Sequence, residues 1–230
     1  MSQQQGIVKG DTLQKLGSLG LIIGGLLLII GYAMLPVADP GNFQGFMTAW
    51  GSKAGTVKFD MFFITLGLWG IMIGTAGVYR SITGRGAAWA RLGFYGIIVG
   101  TVIGTLSSGG TMMAMVNTMA RWISAADAGK DSALTVAAAV TTVCSAVTTM
   151  YNLTEWFALV FLGIGMARSQ VYPKWMGWAA LILGAVSVGV GIPRFFTGLT
   201  NTIQLTFGVV AILTGIWALA VGIWVARKAL

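Results

Sequence analysis

Six stretches of the chain, roughly residues 16–35, 61–79, 92–115, 143–167, 175–192 and 203–225, are apolar almost without interruption. A helix rises 1.5 Å per residue, so runs of about 20 residues match a ~30 Å hydrocarbon layer. The predicted fold class is all-α: a polytopic transmembrane bundle of six spans, forming one domain over residues 1–230. Pro36, Pro40, Pro173 and Pro193 fall at span ends or in connections, where a missing backbone N–H is tolerated. Two longer stretches, 37–60 and 117–132, read as outer loops; loops of that length are functional or dock on a neighbour. The polar tail before residue 16 leads into a run too long for a signal h-region, so the first span is expected to be retained.

Within the spans, small residues recur at helical spacing. The last span carries Gly208, Ala211, Gly215, Ala218 and Gly222, and the fifth carries Gly177, Ala180, Gly184, Ser187 and Gly191. The second has Gly67, Gly70, Gly74 and Gly77, the third Gly93, Gly96, Gly100 and Gly104, and the first Gly17, Gly20, Gly24 and Gly31. Lipid tails are as apolar as leucine, so helices in a bilayer associate by close packing, and small residues permit it. The fifth and sixth spans are expected to pack tightly on each other. Five seams exceed what six helices need, which points to a further partner.

The fourth span differs. Ala138, Thr141, Ser145, Thr148, Asn152 and Glu155 lie at intervals of 3 and 4, forming one polar face. Beyond Glu155 that face becomes Leu159 and Leu162. Counting back from Arg168 puts Glu155 about 20 Å deep. An ionisable group near a bilayer centre costs about 2.5–3.5 kcal/mol on insertion scales and marks a pathway, a proton site or a partner. Glu155 reads as the sole carboxylate without a water-exposed segment to sit in. Thr105 and Thr214 fall at its depth, with Ser107 and Ser108 a turn further out. The expectation is a protonated carboxyl hydrogen-bonded to Asn152 or to these hydroxyls. Whether 132–167 is one helix or two is open.

Composition narrows the functional classes. The chain is 56% hydrophobic and 9% charged, against about 25% charged in soluble domains. The net charge of +8 comes from singly placed Lys and Arg, which excludes a nucleic-acid surface. With the N-terminus inside, Lys9, Lys15, Arg80, Arg85, Arg91, Arg168, Lys174, Arg227 and Lys228 are inner. Lys53, Lys58, Arg121, Lys130 and Arg194 are then outer. Nine against five places both termini in the cytoplasm. There is no histidine, and Cys144 is the one cysteine, so haem, zinc and Fe–S sites of the usual kinds lack ligands. Met112, Met115 and Met119 share a helix face, chiefly as flexible filling, with Cu(I) as the alternative. No catalytic constellation can be assembled, so an independent enzyme is not expected.

The segment Arg168-Ser-Gln-Val-Tyr-Pro-Lys-Trp-Met-Gly-Trp178 resembles a connector in a group of uncharacterised bacterial six-helix integral membrane proteins. The resemblance covers mainly the fourth and fifth spans. It implies six helices and a bacterial cytoplasmic membrane, and brings no established activity. The leading functional expectation is an accessory or scaffold subunit of a larger membrane assembly, with other membrane subunits and lipids as partners. The alternatives are a small proton- or cation-coupled transporter or channel using Glu155, and a binder of lipid, quinone or pigment. No cofactor is expected beyond bound lipid, with quinone or pigment as alternatives.

Overall fold

A computed structural model describes residues 6, 7 and 10–229; Lys9, counted above among the inner charges, lies outside them. The described chain is helical: α1 (Thr12–Met34), α2 (Phe43–Gly51), α3 (Ala54–Ser81), α4 (Ala87–Thr105), α5 (Met112–Ser124), α6 (Asp127–Arg168), α7 (Lys174–Thr197) and α8 (Asn201–Ala229). A 3-10 turn at Gly84–Gly86 precedes α4, and a π segment, Leu106–Thr111, joins α4 to α5. Six helices are long and apolar enough to cross a membrane; Gly84–Ser124 counts as one of them.

Local chemistry sets several boundaries. The Asp11 carboxylate accepts from the Gln14 N–H at 3.1 Å and caps α1. Leu35 and Pro36 then end that helix, since the residue before a proline is driven out of the α region. Asn42 caps α2 by accepting from the Gly45 N–H at 3.0 Å. Gly198, at φ +79°, turns the chain out of α7.

Both expected outer loops are mostly helix. Residues 37–60 contain α2 and the start of α3, and 117–132 shrinks to a two-residue link between α5 and α6. Apart from Asp39 in the connection and buried Asp60, the charged residues there sit at or near helix ends, not on irregular chain. The segment 132–167 belongs to one unbroken helix of 42 residues, about 63 Å long. Pro193 sits inside α7 and not beyond it; near the helix end it frees the carbonyl of exposed Gly189, which solvent or headgroups can satisfy.

The packing has a simple order. α1 lies between α3 and α8, and α6 lies between α4 and α7, with their closest contacts along these four pairs. Lighter α3–α4 and α7–α8 contacts close the ring. The Gly10 N–H donates to the Ala229 carbonyl at 2.9 Å, so both chain ends meet at one end of the bundle.

The fifth and sixth spans are therefore not the tight pair expected. The α7 seam faces α6: a Cβ on Gly184 would lie 2.7 Å from the Trp156 carbonyl, and one on Gly177 would lie 2.8 Å from that of Gly163. The α8 seam faces α1, with Gly215 against the Gly25 carbonyl at 2.8 Å and Gly222 against Ile22 at 2.8 Å. On α4, Gly96 meets Ala158 at 2.7 Å, Gly104 meets Leu68 and Tyr151 at 2.8 Å, and Gly100 meets Glu155. Gly191 approaches only side chains, the nearest that of Leu153 at 3.0 Å. Gly208 has nothing within 4 Å and is not a packing residue at all.

Candidate functional site

The polar face of α6 lines a cavity. Ala138, Thr141, Ser145, Thr148 and Asn152 border a space of about 700 Å³, with α1, α2, α5, α7 and α8 completing the walls. That volume is in the range of ligand pockets, about 300–1,000 Å³. The cavity reaches the surface where α1 ends and α8 begins: Val37, Leu205 and Val209 line it and are 72%, 46% and 57% exposed. Its walls are otherwise largely apolar, including Phe43, Phe46, Phe207, Met112 and Met115.

Arg194 is the one charged residue among the described residues lining it. Sequence counting had placed Arg194 in an outer segment; the structure withdraws it into the bundle, where it is 7% exposed. Its guanidinium carbon lies 5.7 Å from the Phe207 ring centre, a cation–π contact that offsets part of the desolvation. Among the described residues no carboxylate faces it from the cavity wall, and its Nε has no hydrogen-bond partner. An ion taken out of water without a partner costs several kcal/mol. Two more orphaned polar atoms belong to the same lining, Trp50 Nε1 and Gln204 Oε1. A charged donor, a neutral donor and an acceptor thus stand unsatisfied around one space.

Glu155 lies deeper. It does not border the large cavity but a separate void of about 20 Å³, which Tyr32, Tyr151 and Thr214 also line. Tyr32 borders both spaces. Tyr151 stands beside Tyr32 on the wall of the small void.

Glu155 is 8% exposed, and its Oε2 has no hydrogen-bond partner among the described residues. The expected bonds to Asn152 and to nearby hydroxyls are not formed by that atom. The nearby hydroxyls send their protons elsewhere, mostly to helix carbonyls four residues back. Thr214 donates to the Val210 carbonyl at 2.8 Å. Thr105 donates to Thr101 at 2.8 Å and accepts from Trp69 Nε1 at 2.9 Å. Ser107 and Thr148 lie 2.7 Å apart. What the neighbouring helix supplies to Glu155 is room: a Cβ on Gly100 would overlap its Oε2.

Glu155 is also not the sole buried carboxylate. Asp60, read as the end of an outer loop, lies within α3, is 0% exposed, and leaves both carboxyl oxygens without a partner among the described residues.

Of the methionines, Met115 and Met119 are buried in the core, and Met112 and Met115 face the cavity. Cys144 is buried on the same wall. Among the described residues no group of His, Cys, Asp and Glu gathers as a metal site. Arg194, Tyr32, Tyr151, Trp50 and Gln204 were missed by sequence reasoning. Arg194 did carry a signal, being the sole charge between Lys174 and Arg227 and flanked by Pro193 and Phe195.

Comparison with protein families, with curated proteins and with solved structures returns no match.

Proposed function

We propose that the chain is a multi-pass protein of a bacterial cytoplasmic membrane that binds an amphipathic molecule with an acidic head group. The observation that carries this reading is the buried Arg194, whose Nε has no partner among the described residues, on the wall of a cavity of about 700 Å³. A carboxylate or phosphate placed there gains charge-assisted hydrogen bonds, and the apolar walls suit a hydrocarbon tail. A neutral quinone or pigment would leave the cation uncompensated. Orientation with both termini cytoplasmic is supported by the positive-inside excess. It is strengthened by Arg194, which drops out of the opposing loop charge. In this orientation the cavity opens toward the outer face and sideways into lipid.

The glycine seams, which motivated an accessory-subunit role, are largely taken up between helices of the chain itself. The ligand reading has the stronger support. A second reading, proton- or cation-coupled movement through Glu155, is favoured by Tyr32, which borders both the void beside that carboxyl and the cavity that Arg194 lines. In it, Glu155→Gln keeps ligand binding and loses ion coupling.

Native mass spectrometry of the full chain in mild detergent tests the proposal. The expected particle carries one acidic amphiphile, lost in Arg194→Met. A particle holding stoichiometric protein partners and no small molecule would instead favour the accessory role.

A further inference from the structure

Basic residues mark one face of the membrane. At the end of the bundle where both chain ends meet, Arg80, Arg168, Lys174 and Arg227 stand in the terminal turns of α3, α6, α7 and α8. A ~30 Å hydrocarbon layer takes about 20 helical residues. Counted from those four cations, the opposite boundary passes near Asp60, Thr148, Arg194 and Phe207. The last three line one cavity, with Arg194 against the Phe207 ring. Beyond this level stand α2, α5 and residues 127–147 of α6, the last reaching roughly 30 Å past the boundary. These elements form an outer cap, and their surface differs from that of the spans. The spans expose Leu19, Ile23 and Leu26 on α1 and Leu213 and Ile216 on α8, a lipid-facing set. The cap exposes Gln44 and Thr48 on α2, Asn117 and Arg121 on α5, and Asp131 and Thr135 on α6. Ile123 and Val136 apart, the exposed residues of α2, α5 and 127–142 are polar or small, as a surface in water requires.

The cavity straddles the boundary. Asn152, the deepest α6 residue lining it, lies one turn inside the layer, and Ala138, the outermost, lies about 15 Å beyond Thr148. The cap portion is walled by Phe43, Phe46 and Trp50 of α2 and Met115 of α5. Its α6 hydroxyls keep their protons within the helix: Thr141 donates to the Ala137 carbonyl at 2.7 Å and Thr142 to that of Ala138 at 3.0 Å. The cation is thus at the membrane boundary, and the apolar walls stand above it, outside the hydrocarbon. Inside a bilayer such walls could face lipid tails; raised into water, they call for an apolar occupant of their own.

We infer that the cap is a chamber that shelters the hydrocarbon tail of a single-chain acidic amphiphile above the membrane, while the head group rests on Arg194 at the boundary. This inference rests on the proposed binding of such a molecule in the cavity. The orientation is opposite to that of a lipid at rest in the outer leaflet, whose tail points inward. A space of about 700 Å³ encloses one drug-sized molecule, so a two-tailed lipid would leave a tail outside. The entrance is the side opening at Leu205 and Val209, which flank Phe207 at boundary level and are exposed. A molecule that enters there and turns its tail into the cap has been lifted out of the leaflet.

Photo-crosslinking on the full wild-type chain in nanodiscs tests it. Two palmitate probes are used, one with a diazirine at the tail end and one with a diazirine beside the carboxyl group, and the crosslinked residues are read by peptide mass spectrometry. A lysophosphatidylglycerol with the same tail-end diazirine separates a phosphate head from a carboxylate. The expected result is tail-end crosslinks on α2 and α5, around Phe46, Trp50 and Met115, and head-end crosslinks around Tyr32 and Phe207. Both sets should be lost in Arg194→Met. Tail-end crosslinks confined to Leu205 and Val209 or to the bilayer lipid, with head-end crosslinks in place, overturn the chamber alone. So does the reversed pattern, with the head end in the cap. Absence of crosslinks on cavity residues from all three probes, or equal yields in Arg194→Met, overturns the cavity reading beneath it.

Discussion

The Glu155 carboxyl occupies the space that a methyl group on Gly100 would need, and the Glu155 Cα would lie 2.9 Å from that methyl. The buried acid on α6 and the glycine on α4 are one unit. Gly100→Ala must push the helices apart or expel the carboxyl, and overpacking of this kind costs about 1–3 kcal/mol. Glu155→Ala should relieve the side-chain part of that cost and not the backbone part. A double-mutant cycle read by thermal unfolding in detergent checks it; fully additive effects would contradict the pairing.

Arg194 should stabilise nothing in the empty protein. Replacing even a buried ion pair by well-packed apolar side chains is often neutral or stabilising by about 1–4 kcal/mol, and Arg194 lacks the pair's attraction. Arg194→Met is therefore expected to raise the unfolding midpoint of delipidated protein while abolishing ligand retention. A lowered midpoint would mean that the guanidinium has a structural partner.

The π segment Leu106–Thr111 leads into Met112 and Met115, which line the cavity. A π turn holds one residue more than an α turn. Gly110 touches nothing within 4 Å, so its deletion should convert the π turn to an α turn and leave α5 facing as before. The expected outcome is a folded, helical protein that still retains ligand, checked by circular dichroism and native mass spectrometry together; loss of ligand would mean that the widened turn itself shapes the cavity.

How much of this was legible in the sequence follows from what each signal depends on. Apolar runs are local, so six helices and the polar face from Ala138 to Glu155 could be read directly. The seams announced close packing, but not with whom: Gly177 and Gly215 look alike in sequence and face different helices. Arg194 was counted as loop charge because a charge beside a proline normally marks a helix end. Only the tertiary arrangement, with Phe207 across from it, shows that it turns inward. Asp60 reads as a loop end because it directly precedes the apolar run from residue 61, and only the packing around α3 shows it buried.

Tyr172, in the connector before α7, is 4% exposed and its hydroxyl lies 2.8 Å from that of Ser81. Ser81 donates to the Val78 carbonyl, so Tyr172 donates to Ser81. Tyr172→Phe is expected to cost about 1 kcal/mol. Burial pushes the Tyr172 hydroxyl up from its ordinary value of 10.0. In the unfolded chain it ionises at about pH 10, so its contribution is intact below that pH and is lost as pH rises beyond it. The stability gap between wild type and Tyr172→Phe should therefore narrow above about pH 10. A gap that widens there would reverse the assignment.

Whether Arg194 receives an acidic head group is decided by paired equilibrium binding of oleate and oleyl alcohol. The two share a tail and differ in the charge at the head. Wild-type protein is expected to bind oleate at least ~10-fold tighter, a difference of about 1.4 kcal/mol. Arg194→Lys should keep most of that preference, and Arg194→Met should lose it while still binding the alcohol. Equal affinity of the wild type for acid and alcohol, or a preference that survives Arg194→Met, would contradict it.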